Sequence, residues 1–461
     1  MLVIYNSLTK TKEAFKPLQP RKLGLYVCGV TVYDYCHIGH GRTYMVFDMV
    51  IRYFKACGYA VNYVRNITDI DDNIIKRSQE NHEEYAVLTE RFINAMHEDF
   101  NALQLLSPHH EPRATEYIAE MIAMIEQLIA KNYAYVATNG DVYYDIHKFS
   151  SYGQLAHQNL EQLQSGIRVD VLDAKRNPLD FVLWKLAKPG EPKWASPWGE
   201  GRPGWHIECS AMAGKLLGQP FDIHGGGIDL IFPHHQNEVA QSESAGDCRF
   251  VNTWMHGGHV QINEEKMSKS LNNFSTIRDV LAKYNTETAR YFLLASHYRS
   301  PINYTEENLN SAHQALIRFY TCLKDLPDSN ESKSNTLFEK KFYAAMDDDF
   351  NTPIALSVLF DLVRKINKLK IENKITEAAD HGIVLKKLGN ILGLLQQDPR
   401  QFLQSNLNDS EVEKIENLIN LRNHARATKN WIEADNIRKQ LTALGVVIED
   451  NSNGTSWKYL K

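Results

Sequence analysis

With 461 residues the chain is longer than one hydrophobic core usually organises, and 43% hydrophobic against 23% charged residues marks an ordinary globular composition. A formal net charge of -5 excludes global attraction to a polyanion, so any nucleic acid must be met at local basic patches. Six scattered cysteines without a Cys-x-x-Cys pair argue against a disulfide scaffold and fit a reducing cytoplasm. No apolar run reaches bilayer length, and the first residues carry neither a basic head nor a cleavage site for secretion.

In chain order, residues 1–7 read as a first strand, and Leu23-Gly24-Leu25-Tyr26-Val27 as an apolar strand before a helix over residues 43–54. Residues 59–65 alternate as a second strand, and residues 73–103 and 114–131 have helical character. Such alternation of strand and helix predicts a parallel sheet. Asn139-Gly140, flanked by apolar runs, is a hairpin signal and opens an inserted module of strands and loops over residues 133–200. The α/β pattern resumes with a helix over residues 207–217, stopped by Gly218. A strand, Phe221-Asp222-Ile223-His224, then leads into a loop, Gly225-Gly226-Gly227, and a helix over residues 234–245. From residue 350 to about 395 the character is helical, with Thr352-Pro353 as a helix start. A largely polar linker over residues 405–410 precedes a small tail, and no internal repeat is present.

Two motifs carry chemistry. His37-Ile38-Gly39-His40 brings two imidazoles and a glycine to the end of a strand, beside a helix N-terminus whose N–H groups favour phosphate. Lys266-Met267-Ser268-Lys269-Ser270 presents two ammonium groups that can stabilise charge developing on a triphosphate. Either motif alone is usually a turn or a surface loop; both in this order point to a nucleotide site. A third constellation is spread more widely. His234 and Glu238 are spaced to share one helix face, by themselves a pattern of solvated surfaces. Cys28 and Cys209 sit where sheet ends meet in a doubly wound fold. Two thiolates, an imidazole and a carboxylate would suit tetrahedral zinc, although the sequence alone does not bring them together.

These motifs resemble the nucleotide-binding pair of class I aminoacyl-tRNA synthetases. Tyr26-Val27-Cys28-Gly29-Val30-Thr31-Val32-Tyr33-Asp34, Arg65-Asn66-Ile67-Thr68-Asp69-Ile70-Asp71-Asp72, Gly204-Trp205-His206-Ile207-Glu208-Cys209-Ser210 and His224-Gly225-Gly226-Gly227 narrow the resemblance to the cysteinyl-tRNA synthetases of bacterial type. It covers nearly the whole chain. It implies an α/β fold: a Rossmann-type parallel-sheet catalytic domain with an inserted module, a C-terminal helical bundle and a small mixed anticodon-binding domain. The expected divisions are residues 1–132 and 201–254 for the two halves of the catalytic domain, with 133–200 as the insertion. Residues 255–307 then carry the lysine motif and a stem-contact region, 308–404 the bundle, and 405–461 the anticodon-binding domain.

The resemblance further implies activation of L-cysteine with ATP to cysteinyl adenylate, and transfer to the 3'-terminal adenosine of tRNA-Cys. One zinc ion, held by Cys28, Cys209, His234 and Glu238, would bind the substrate's sulfur, and Mg²⁺ would accompany ATP. By the same resemblance His37 and His40 act on the triphosphate as donors, and Lys266 and Lys269 clamp its far end. Gly39, Gly227, Asp229 and Lys269 are expected to bind ATP, and Gly29, Thr68 and Trp205 to form the cysteine pocket. The protein is expected to be a cytoplasmic monomer without a membrane partner.

Arg422, Arg426 and Lys429 are spaced as a basic helix face, and the segments after them resemble the family's anticodon-binding module. Trp431 is expected to stack on a base, with Arg426, Asp435 and Asp450 reading base edges. Two departures from the family pattern stand near the chemistry: Asn272 follows Leu271 where a glycine is usual, and Gln236 occupies a position where glutamate is frequent. Two rival readings remain. One is a ligase that passes the same adenylate to an aminosugar, as mycothiol ligase does; the RNA-like tail argues against it. The other is an inactive paralogue that merely binds tRNA or zinc, against which the intact histidines and lysines speak.

Overall fold

Four parallel strands, Lys22–Thr31, Ala60–Thr68, Phe221–Gly227 and Val251–Gly257, form the central sheet of the computed structural model. Across the sheet they run Val251–Gly257, Phe221–Gly227, Lys22–Thr31, Ala60–Thr68. The strand Lys22–Thr31 therefore has its sequence successor on one side and a strand from far later in the chain on the other. Connections leave such a pair of strands in opposite directions, so a crevice opens at their carboxyl ends. The structure describes residues 1–158, 174–262, 265–266, 274–327, 337–404, 409–451 and 454–459. They form two units, residues 1–309 with 340–356, and residues 310–339 with 357–461.

Local chemistry explains where the elements depart from expectation. The helix after the strand Lys22–Thr31 spans Ile38–Ala56 and so begins inside the histidine motif, because His37 caps it. The helical stretch over residues 73–103 is two helices, Asp72–Asn81 and Tyr85–Ala102, parted at His82, whose φ of 53° is left-handed. The glycines Gly225, Gly226 and Gly227, expected in a loop, instead complete the strand Phe221–Gly227. The reason is close packing: a Cβ on Gly225 would lie 2.2 Å from the ring of Phe47 on the helix Ile38–Ala56. His234 and His235 end a tight turn, Ile231–His235, that leads directly into the helix Gln236–Gly246.

The inserted module is an antiparallel sheet of Ala134–Val136, Val142–Tyr144, Phe181–Leu186 and Gly201–Pro203. The hairpin at Asn139-Gly140 is present, with Gly140 at φ 87°. Tyr144, Phe181 and Trp184 share one hydrophobic core with Tyr26, Ile207, Phe221 and Trp254 of the catalytic region. The hydroxyl of Tyr144 also donates to the carbonyl of Ala240 at 3.0 Å. Burying an aromatic face across the boundary welds insertion and sheet into one hydrophobic unit.

The second unit is largely helical and contains the helix Ile375–Ile391. Of the expected linker, residues 405–408 lie outside the described residues, and Asp409 already begins a helix. That helix, Asp409–Ala427, joins Trp431–Ala443 and a hairpin of Val446–Asn451 with Gly454–Tyr459. Ile415, Ile419, Ile437, Leu441, Val446 and Trp457 form a separate small core there. Among the described residues no helix is long and apolar enough to cross a membrane.

Candidate functional site

At the crevice a cavity of about 430 Å³ is lined by Cys28, Gly29, His37, His40, Trp205 and Asp229, among others. The two histidines cap the helix reciprocally. Nδ1 of His37 accepts from the backbone N–H of His40 at 3.3 Å, and Nδ1 of His40 accepts from that of His37 at 3.2 Å. Their rings stack with centroids 3.7 Å apart. With both Nδ1 atoms used as acceptors, each neutral ring carries its proton on Nε2 and presents an N–H donor. The pair thus places donors at a helix N-terminus, where anions are favoured. Gly39 lies in the helix's first turn, its carbonyl accepting from Thr43 Oγ1 at 3.3 Å. Gly227 ends its strand where a Cβ would come within 2.5 Å of Asp229 Oδ1, so strand and acidic side chain approach closely.

Lys269 and Asn272 lie outside the described residues, as does the side chain of Lys266. The backbone of Glu265–Lys266 pairs with Gln261 and Ile262. Beyond the motif the chain returns to the histidine loop. Ile38 N–H donates to the carbonyl of Ser275 at 3.0 Å, and Ile277 N–H to that of Cys36 at 2.9 Å.

Under the cavity floor three of the four expected metal ligands, Cys28, His234 and Glu238, converge, and the fourth, Cys209, lies against Cys28. Cys28 Sγ lies 3.6 Å from Cys209 Sγ and 3.5 Å from Glu238 Oε1, and His234 Nε2 lies 3.0 Å from the same oxygen. Ligands of tetrahedral zinc with Zn–S bonds of about 2.3 Å stand about 3.8 Å apart sulfur to sulfur, and nitrogen–oxygen edges are shorter. Donor chemistry and spacing therefore both fit zinc, and all four residues are buried. The electrostatics is divided: burial, with Cys209 and Glu238 beside it, pushes the Cys28 thiol well above its ordinary range. Burial opposes the charge on Glu238, yet His224 and His234 hold its carboxyl down to about 2. Burial likewise opposes charge on His234, but Glu238 and Cys209 push it up to about 10, so the pocket favours positive charge facing its acidic donors.

The sequence underestimated the surroundings of this cluster. His235 has Nε2 3.2 Å from Cys28 Sγ and Nδ1 2.7 Å from Nε2 of His256. Together with Cys28, His234 and Glu238 it forms a group whose ligand atoms lie within 4.8 Å of one another, and in that group His235 stands where Cys209 was expected. His224 Nε2 is 2.7 Å from Glu238 Oε2, and His206 Nδ1 is 2.9 Å from His234 Nδ1, so both ligands are oriented from behind. His206 and His224 stand inside segments that carried the family resemblance, which was the available signal; His256 offered none.

Trp205 lines the cavity and stacks on His234 with centroids 4.3 Å apart. Gly29 lets the chain pass Asn66, whose carbonyl oxygen would lie 1.5 Å from a Cβ. Thr68 is buried, and its hydroxyl donates to Glu208 Oε2 at 2.7 Å; it supports the floor and is not among the cavity-lining residues. Gln236 is fully buried, its Oε1 accepting from the Leu155 N–H at 2.9 Å.

In the second unit, Arg422 is buried and forks onto Asp450 with bonds of 2.9 and 2.7 Å, while Arg426 reaches the same carboxylate at 2.5 Å. The expected basic face is therefore an acid-centred cluster, and Lys429 stands beyond the helix end at φ 58°. Hydrogen bonds from Arg422 hold the Asp450 carboxyl well below the usual carboxylate range. Trp431 is 59% exposed, a large aromatic face open to a partner, and Asp435 is exposed on the same helix.

Comparison with known proteins places these features in a family. Residues 14–314 match the class I tRNA synthetase (C) catalytic domain, 341–396 the DALR domain, and 410–457 the cysteinyl-tRNA ligase anticodon binding domain. The chain is 58% identical over 455 residues to the cysteine–tRNA ligase of Coxiella burnetii, covering 99% of each. It is 59% identical over 462 residues to that of Proteus mirabilis, again covering 99% of each. In fold it is similar to methionyl-tRNA synthetase of Mycobacterium tuberculosis in complex with methionyl-adenylate. That likeness has a TM-score of 0.56 at 14% identity and covers 86% of this chain and 94% of the other.

Proposed function

The chain belongs to the cysteine–tRNA ligase family of class I tRNA synthetases, and we propose that its cavity joins cysteine to ATP over a zinc-binding floor. The overall activity is ATP-dependent ligation of L-cysteine to tRNA. The observation that carries the reading of the site is the double role of Cys28. It belongs to the buried thiol, imidazole and carboxylate cluster, and it lines the same cavity as His37 and His40.

In the first step the cysteine carboxylate attacks the α-phosphorus of ATP, and pyrophosphate leaves. His37 and His40 donate N–H groups to phosphate oxygens as charge builds, and Lys266 and Lys269 serve the β and γ phosphates. Mg²⁺ arrives with ATP. Gly39 and Gly227 permit close approach of the nucleotide, and Asp229 accepts from the ribose. Gly29, Trp205 and the Thr68 network shape the amino-acid end. Cys28, Cys209, His234 and Glu238 hold zinc, with His235 beside them. A zinc ion held there supplies a soft Lewis acid for the substrate's sulfur, which an alcohol satisfies poorly.

In the second step the 3'-terminal adenosine of tRNA-Cys takes the cysteinyl group. Trp431, Arg426, Asp435 and Asp450 meet the anticodon, Asp450 by setting the arginines. The match over 410–457 supports an RNA acceptor over an aminosugar. We assign the protein to the cytoplasm as a monomer, with the six-part division given by the sequence. Cysteine-dependent pyrophosphate exchange, measured before and after zinc removal and restored by zinc, tests the reading. Undiminished exchange in metal-free protein would overturn it.

A further inference from the structure

The cavity wall beside the histidines is held from outside by one arginine. Tyr35 lines the cavity next to His37 and is 40% exposed. The guanidinium of Arg278 lies over its ring, 4.3 Å from the centroid. The same guanidinium donates through Nε to Asp99 Oδ1 at 2.9 Å and through Nη2 to the carbonyl of Ala95 at 3.2 Å. Both partners sit on the helix Tyr85–Ala102, whose Phe92 meets Tyr35 edge-on at 5.4 Å and 84°. A planar guanidinium can stack with its face while it donates in its plane; an ammonium cannot do both.

Arg278 is also placed by the backbone. It belongs to the short helix Ile277–Leu281, started by a reciprocal cap between Thr276 and Asp279. Thr276 is bridged to His37, and the carbonyl of Cys36 accepts from Ile277. The turn that delivers His37 is thus gripped twice, through its backbone by residues 275–277 and through Tyr35 by Arg278.

We infer that Arg278 is a positioning residue for adenylate formation, tying Tyr35 to the helix Tyr85–Ala102 through Asp99 and Ala95 so that residues 34–37 present His37 and His40 to the triphosphate. The inference rests on the assignment of those histidines to the triphosphate. It adds a residue that does not line the cavity. Displacement of a catalytic group by about 1 Å can cost on the order of a hundredfold.

The test is a double-mutant cycle on full-length, zinc-loaded protein, read as kcat and KM of cysteine-dependent pyrophosphate exchange. Arg278→Ala should lower kcat by about 10- to 100-fold while leaving bound zinc and KM for cysteine unchanged. Added to His40→Ala it should cost no more than about twofold further, because both changes disable the same pair. Should Arg278→Ala fail to fold, Arg278→Lys keeps the charge without stack and fork together, and should show the same fall in kcat. Additive losses, or a wild-type kcat in the arginine variants beside an impaired His40→Ala, would overturn the inference. A wild-type kcat in His40→Ala would instead overturn the histidine assignment, and the positioning role with it.

Discussion

Cys28 Sγ and Cys209 Sγ lie 3.6 Å apart although 181 positions separate them in sequence. One stands on the central strand and the other on the helix Trp205–Leu217, so only the switch point of the sheet brings them together. Cys28 also lines one cavity with His37 and His40.

Cys209→Ser should remove a soft ligand from the cluster while leaving its volume nearly unchanged. Zinc affinity should fall by more than about 100-fold, above the range seen when a residue merely supporting a ligand is lost. Cysteine activation should fall with it and ATP binding should not. Metal content by atomic absorption and ATP affinity by calorimetry check this; a zinc-replete serine variant would remove Cys209 from the ligand set.

For His37 the cap and the donor separate. His37→Asn keeps a good N-cap, so its melting temperature should stay near wild type, whereas His37→Ala should lose about 1 kcal/mol of stability. Both variants lack the imidazole N–H, and kcat of pyrophosphate exchange should drop about 10²- to 10³-fold in each. An asparagine variant with full activity would leave His37 a purely structural cap.

How far the sequence reached depends on what kind of order each feature needs. The histidine and lysine motifs are local, so residue type and spacing sufficed to single them out. The metal ligands were assigned through family resemblance, since strands and helices far apart in the chain must close on one point. The histidines behind them were not assigned, because burial and direction are products of packing: His224 and His206 reach Glu238 and His234 from other elements of the fold. The glycine run was misread as a loop because its purpose is the closeness of Phe47, which no local pattern encodes. At the other end, the arginine spacing suggested a solvated basic face, and the carboxylate that gathers it arrives from the final hairpin.

Deleting residues 409–461 should spare amino-acid activation, since that tail closes its own core around Trp457 and Leu441. Charging of tRNA should lose at least about tenfold in kcat/KM, the equivalent of one bidentate base contact. Equal charging by truncated and intact chains would remove the tail from RNA recognition.

Asp450 predicts an acid response in the same tail. Its folded carboxyl is held below the usual range, first by hydrogen bonds from Arg422 and further by Thr455 and the charge of both arginines. A depressed folded pKa contributes stability that is complete above the unfolded value of about 3.9 and is lost as pH falls through the folded one. Amide hydrogen exchange in Val446–Asn451 should therefore accelerate as pH drops below about 4, after correction for intrinsic rates. In Asp450→Asn that pH dependence should vanish, and tRNA binding should weaken. An unchanged dependence in the variant would show that the ion cluster carries no stability.

The central claim is that the floor of the cavity distinguishes cysteine from serine through a metal, since a hydrophobic pocket alone rejects a near-isostere by only about 1–3 kcal/mol. The most direct measurement is the optical spectrum of cobalt-substituted protein titrated with each amino acid. The account predicts that cysteine adds sulfur-to-cobalt charge-transfer absorption and alters the ligand-field bands, and that serine changes neither. A cobalt spectrum that ignores cysteine, in protein that still activates it, would contradict the account and leave the metal a structural element.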